Sequence, residues 1–164
     1  MKDKKEIIET IESSKVLKSI NDIKNKKEQK LIYTFGAAGT GKSTLVERIR
    51  GLDINTAILA PTGIAALNIG GQTIHSFFQF DFSPSPKIKK KLDSSLIEKL
   101  DLLIIDEISM VNASIMDSID KALRKTRRNN QPFGGVSMML VGDLFQLEPV
   151  VKESAQSFFY DNYQ

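Results

Sequence analysis

Residues 36–43 read GAAGTGKS, a match to G-x-x-x-x-G-K-[ST], and they stand where that pattern has physical meaning. LIYTF (31–35), a short β-prone run, comes just before, and STLVERIR (43–50), with apolar residues at helical spacing, comes just after. A glycine-rich loop between a strand and a helix lets backbone N–H groups converge on phosphate oxygens with no Cβ in the way. The positive end of the helix points at the same phosphates. Gly36, Ala37, Ala38, Gly39, Thr40, Gly41, Lys42 and Ser43 therefore form a candidate nucleotide cradle. In it Lys42 would reach the β- and γ-phosphates and the Ser43 hydroxyl would bind Mg²⁺.

A fold follows from the other apolar runs. TAILA (56–60) ends at Pro61, LLII (102–105) ends at Asp106 and Glu107, and VSMMLV (136–141) ends at Gly142 and Asp143. Short, nearly all-apolar strands, each followed by polar or glycine-rich residues, read as strands buried on both faces, the look of a parallel α/β sheet. Ile115, Ile119 and Leu123 fall four apart and predict a helix between the third and fourth runs. Most of 81–95 (DFSPSPKIKKKLDSS) reads as an exposed loop. Residues 4–28 alternate Lys and Glu around Ile7, Ile8, Ile11, Leu17, Ile20 and Ile23, which predicts one or two amphipathic helices leading into the body. The expected organisation is a helical lead-in over 1–30 and one α/β domain over 31–164.

Asp106 and Glu107 close the third strand. An Asp at the tip of a buried strand beside a phosphate loop holds the Mg²⁺ shell, and a neighbouring Glu is the natural general base for a water attacking the γ-phosphate. The alternative is a helix N-cap, shared with Ser109. A kinase would position a substrate hydroxyl, so the acidic pair favours hydrolysis. The fourth strand leads into GDLFQLEPV. If it lies between the other two, Asp143 and Gln146 come near the γ-phosphate, and Gln146 could sense it and orient water.

APTGIAALNIGGQTIHSFF (60–78) opens at a strand end, passes through a short helical patch, turns at Gly70–Gly71 and presents Thr73, His75 and Ser76 before two aromatic residues. Hydroxyls, N–H groups and a histidine can hold a phosphate backbone without reading its sequence, and Phe77 could stack on unpaired bases. Equally, Phe77 and Phe78 could be core, and His75, the only histidine, a satisfied buried hydrogen-bond partner.

Charge does not decide the matter. Residues 1–30 hold nine lysines against six acids, which is the whole net charge of +3; residues 31–164 are balanced. Two basic clusters remain, Lys87, Lys89, Lys90 and Lys91, then Arg124, Lys125, Arg127 and Arg128. There are no cysteines, which excludes disulfides, thiolate zinc sites and cysteine nucleophiles. No apolar run approaches the length of a membrane span, and the N-terminus lacks the apolar stretch of a secretory signal. A cytoplasmic location is expected, nucleoid-associated in a bacterium.

The order GAAGTGKST, APTGIAALNIGGQTIHSFF, LLIIDEISMV, RRNNQPFGGVSMMLVGDLFQLEPV resembles the first motor domain of Pif-family DNA helicases, superfamily 1B enzymes related to RecD. The resemblance covers roughly 31–160. It implies a P-loop NTPase fold with a RecA-like, mainly parallel sheet flanked by helices, left incomplete in this chain. The implied activity is 5′ to 3′ translocation on single-stranded DNA and unwinding of duplexes, forks and G-quadruplexes, driven by ATP and Mg²⁺. Carried over by position, Gly39, Gly41, Lys42, Ser43 and Thr44 would bind ATP and Mg²⁺, and Asp106 would bind Mg²⁺ through water. Glu107 would be the base and Gln146 the γ-phosphate contact. Thr62, Gly63, Thr73 and His75 would line the DNA path. Single-stranded DNA and DNA junctions are the implied partners.

Departures go with the likeness. Glu148–Pro149 stands where the family has two prolines, and Gln29 fits an adenine-sensing glutamine only by position. The family continues with a duplex-splitting insertion and a second RecA-like domain carrying an arginine finger. This chain is then expected to be a piece of a longer protein or a domain that works with that partner in cis or in trans. A P-loop nucleotide kinase, or a non-catalytic module binding ATP and single-stranded DNA, are the competing readings.

Overall fold

The computed structural model describes residues 11–26, 28–37, 39–90 and 92–143, together with residues 156, 158, 161 and 162. The four apolar runs become strands β1 (Leu31–Phe35), β2 (Thr56–Ala60), β4 (Leu102–Ile105) and β5 (Ser137–Gly142), and a two-residue β3 (Gln72–Thr73) joins them. All pair in parallel, in the order β1-β5-β4-β2-β3. The strand that ends in Gly142 thus lies between the P-loop strand and the strand that ends in the acidic pair, the arrangement that brings their tips together. In a parallel sheet every strand ends at the same edge, so the loops after β1, β2, β4 and β5 share one surface.

Helices cover both faces. On one face α1 (Ile11–Lys26) and α2 (Lys42–Arg50) bury Ile20, Ile23, Val46 and Ile49 against Ile32, Ile104 and Met139. On the other, α4 (Ile74–Phe77), α5 (Ser94–Lys99) and α6 (Ala113–Arg127) bury Ile74, Ile97, Ile119 and Leu123 against Leu59, Leu103, Met138 and Leu140. A sixth helix, α3 (Gly63–Asn68), packs Ala65 and Ala66 on Ala60 at the end of β2. Local chemistry sets the ends of α6. Asn112 caps its start, accepting from the Ile115 amide at 2.9 Å, and Arg124, Lys125 and Arg127 in its last turn complement the negative end of the dipole.

The structure departs from the sequence reading at three places. β1 is not buried on both faces: Ile32 is in the core, but Leu31, Tyr33 and Phe35 are 53%, 57% and 42% exposed, and β1 is an outer strand among the described residues. The 81–95 stretch is not merely a solvated loop. Asp81 ties it into a turn, accepting from the Ser83 amide (3.1 Å) and the Lys87 amide (3.2 Å), Phe80 and Ile88 form an antiparallel bridge, and α5 starts at Ser94. α3 and α4 with β3 between them replace a single helical patch. Residues 1–10, with Ile7 and Ile8, lie outside the described residues. No helix among the described residues is long and apolar enough to cross a membrane.

Candidate active site

The loop after β1 is held to the sheet by its first residue, whose amide donates to the Gly142 carbonyl at 3.2 Å. At Gly36 a Cβ would stand 2.7 Å from Thr40 Oγ1, so a larger residue there would make the Thr40 side chain shift. Gly39 and Gly41 must be glycine for conformation: their φ values are +79° and +89°, and no heavy atom lies within 4 Å of where a Cβ would be. Open space over those two residues is what a phosphate needs. Gly41 caps α2, whose first residue is Lys42. The Lys42 ammonium donates to the carbonyls of Gly36 and Ala37, the latter at 2.8 Å. Ser43 and Thr44 are exposed on the first turn.

Facing this loop, the tips of β4 and β5 complete a cleft of about 380 Å³, lined by Gly39, Gly41, Lys42, Ser43 and Thr44 on one side and by Asp106, Glu107, Gly142 and Asp143 on the other. Burial raises the pKa of the Asp106 carboxyl above its ordinary value, against the lowering effects of the Glu107 amide and the Lys42 charge. Burial likewise raises Glu107, and the Asp106 charge adds to it. Glu107 sits at φ 51°, ψ 45°, left-handed space that a non-glycine residue enters only under constraint. The constraint is visible: Gly142 packs so closely on the turn Ile108–Met110 that a Cβ on it would meet Ile108 Cγ2 at 2.8 Å. Glu107 makes no side-chain cap to that turn, so the N-cap alternative is not what the fold adopts.

The donor set suits Mg²⁺. Ser43 and Asp106 offer hard oxygen ligands, and a divalent cation beside Asp106 and Glu107 would offset the burial that raises both carboxyl pKa values. Among the described residues no three His, Cys, Asp or Glu side chains are placed to hold a metal ion by themselves. A site with so few protein ligands matches an ion that keeps several waters and shares phosphates.

Thr62, Gly63, Thr73 and His75 lie farther along the same edge, past the ends of β2 and β3. Thr62 caps α3 by accepting from Ala65 N (3.2 Å), and Thr73 caps α4 by accepting from Ser76 N (3.1 Å). Gly63 has open space where a Cβ would be. His75 is half-buried, its ring stacked on Phe82 with centroids 4.8 Å apart and planes at 15°. Burial lowers its pKa below the ordinary histidine value, opposed by the Asp81 charge. Phe77, two residues from His75 on α4, is half-buried and packs against Phe78, ring centroids 4.9 Å apart. The exposed ring of this region is Phe82, which the sequence reading missed inside a loop. Its signal was an aromatic residue in a lysine-rich turn, seven residues after the histidine.

Other candidates lie away from the cleft. Gln29 donates to the carbonyls of Pro132 (2.6 Å) and Val136 (3.0 Å), at the opposite end of the sheet from the P-loop. Arg127 donates to the carbonyls of Ile97, Leu100 and Gly134 at that same end, and Arg124 pairs with Asp120 at 2.8 Å. Ala38, Lys91, Gln146 and the Glu148–Pro149 pair fall outside the described residues.

A family model described as PIF1-like helicase matches residues 9–161. The chain belongs to the PIF1-like helicase family. Among curated proteins it is 44% identical over 135 residues to the ATP-dependent DNA helicase PIF1 of Saccharomyces cerevisiae, covering 74% of this chain and 16% of that one. It is 38% identical over 139 residues to the human ATP-dependent DNA helicase PIF1, covering 78% and 21%. Among solved structures it matches Pif1 helicase from Bacteroides in complex with ADP-AlF3 and ssDNA, with TM-score 0.84, 40% identity, and 96% of this chain against 37% of that one. A structure of two coordinating Pif1 helicases at forked dsDNA matches with TM-score 0.78 and 38% identity, covering 94% and 38%. This PIF1-like chain therefore spans roughly a fifth of the yeast and human relatives it matches, 16% and 21% of their lengths.

Proposed function

We propose that this chain is the nucleotide-binding motor domain of an ATP-dependent DNA helicase that moves 5′ to 3′ on single-stranded DNA and unwinds duplexes. The observation that carries it is the cleft where the P-loop meets the β4 tip, with Glu107 held in left-handed backbone beside Asp106. The helicase names of the relatives and the single-stranded DNA in the matched Bacteroides complex support the DNA half of the reading, and direction follows from the family resemblance.

In this reading the amides of 39–44 bind the phosphates and the Lys42 ammonium leaves the Gly36 and Ala37 carbonyls for the γ-phosphate. Ser43 and Asp106 would hold Mg²⁺, which when bound would neutralise phosphate charge. Glu107, its proton affinity raised by burial, accepts the proton of the attacking water. Gln146 orients that water. What the described cleft has in only one copy is a cation, Lys42. The chain has five arginines, Arg48, Arg50, Arg124, Arg127 and Arg128, and all sit in the last turn or C-cap of a helix that runs away from the cleft. An arginine finger at the γ-phosphate is worth about 10³ to 10⁵ in rate, so this chain binds ATP but turns it over slowly until another domain or chain supplies one.

Thermal shift with MgATP tests the binding half. A ligand in hundredfold excess over Kd stabilises by about 2.7 kcal/mol, and Lys42→Ala abolishes the shift. An undiminished shift in that variant moves the nucleotide elsewhere and ends the proposal. Brisk hydrolysis by the parent chain with single-stranded DNA would show a trans arginine from a neighbouring copy.

A further inference from the structure

We infer that the stacked His75–Phe82 pair is a platform on which an unpaired nucleobase lies, with Phe82 as the ring that meets it. This rests on the DNA-binding half of the proposed function and goes past it to one side chain and one mode of contact. Phe82 is 85% exposed. An exposed phenyl ring is commonplace, but this one lies flat on His75 with its other face open. Both rings are mounted on anchored backbone. Ile74 and Phe78, each fully buried, flank His75 on α4, and Thr73 caps that helix. Phe80, 6% exposed, pins the start of the hairpin that carries Phe82, and its bridge to Ile88 closes the hairpin. Asp81 fixes the turn between them, its carboxylate accepting from Ser83 Oγ (2.5 Å) as well as from the Ser83 and Lys87 amides.

The surroundings suit a nucleotide. The returning arm of the hairpin exposes Lys87, Lys89 and Lys90, while Asp81, the acid of this turn, accepts three hydrogen bonds within it through Oδ1. A flat, rigid apolar face beside mobile ammonium groups takes a base on the ring and its phosphates on the lysines. Every base has a π-face, so such a contact tolerates any sequence. The platform also lies on the edge of the sheet that bears the caps Thr62 and Thr73, so it extends the expected DNA path.

Fluorescence anisotropy of the whole chain with a labelled oligothymidylate at low salt reads the contact. Phe82→Ala weakens binding about tenfold, within the range for loss of one base–aromatic stack. Phe82→Trp restores the affinity, and Phe82→Leu, apolar but without a π-face, does not. A 2-aminopurine walked along the strand is quenched at one position, and that quench disappears in Phe82→Ala. Affinity for Phe82→Ala within twofold of the parent, or equal binding by Phe82→Leu and Phe82→Trp, overturns the platform and assigns the exposed ring to contact with protein. In that outcome the parent still binds DNA and the broader reading stands. If the parent itself binds no single-stranded DNA at low salt, both fall.

Discussion

Glu107 carries two local costs, a left-handed backbone and a carboxyl group part-buried beside another carboxyl group. The first is worth roughly 1–2 kcal/mol for an L-residue. The second has a sign that can be worked out. Asp106 and Glu107 both have raised pKa values in the fold, so over the window just above ordinary carboxylate values the native state holds more protons than the unfolded one. Stability linked to them is present at lower pH and is lost as pH rises through the raised values. Melting curves of the nucleotide-free chain should therefore decline from about pH 4 upward more steeply than those of Asp106→Asn. At neutral pH Asp106→Asn should melt higher than the parent while losing the extra stabilisation that Mg²⁺ adds to ATP. A lower melting point for Asp106→Asn would mean that the aspartate is a structural partner, contrary to its place in the cleft.

At the scale of elements, short β3 does more than its length suggests. Gly71 brings it against β2 so tightly that a Cβ would lie 2.3 Å from the Ile58 carbonyl oxygen. Gly71→Ala must push β3 and α4 outward. Forced overpacking costs about 1–3 kcal/mol, roughly 5 °C in Tm for a chain of this size, and calorimetry should find it. Because α4 carries His75, DNA affinity should fall too, while ATP binding two strands away holds. Neither β3 nor α5 was legible in the sequence. QT has no apolar run to announce a strand, and SSLIEK followed a lysine-rich stretch whose local charge read as solvent, although Asp93 in front of it, accepting from Leu96 N at 3.2 Å, is an ordinary cap. The central strands were legible because two-sided burial keeps their runs almost wholly apolar, with Ser137 the one buried polar side chain in β5. The same logic misplaced one face of β1: LIYTF is apolar throughout, and nothing within it tells that Leu31, Tyr33 and Phe35 stay uncovered by the described residues. The cleft was legible for a different reason. Phosphate loops demand glycine at fixed spacing, whereas an exposed aromatic ring such as Phe82 can sit anywhere a hairpin puts it.

The whole molecule has a chemical direction. The glycine-rich loop and the acidic groups occupy one end of the sheet, and the arginines gather at the other. Turnover should accordingly scale with whatever brings an arginine to the cleft, and a separately added second motor domain should raise the ATPase rate of the parent but not of Glu107→Gln. Equal stimulation of both would place the base elsewhere. The face of β1 left uncovered by the described residues, on a strand that is outermost among them, should also promote self-association; sedimentation velocity across a concentration series would register it, and Tyr33→Lys should suppress it.

Between the phosphate loop at the tip of β1 and the α3 cap at the tip of β2 stand two further strands, β5 and β4. Three strand spacings of about 4.8 Å put those tips roughly 14 Å apart. That gap is counted in strands, so it changes in whole units or not at all. Loops and side chains can vary around it, but in the proposed motor the separation between the nucleotide cleft and the DNA path would be a fixed integer of the architecture.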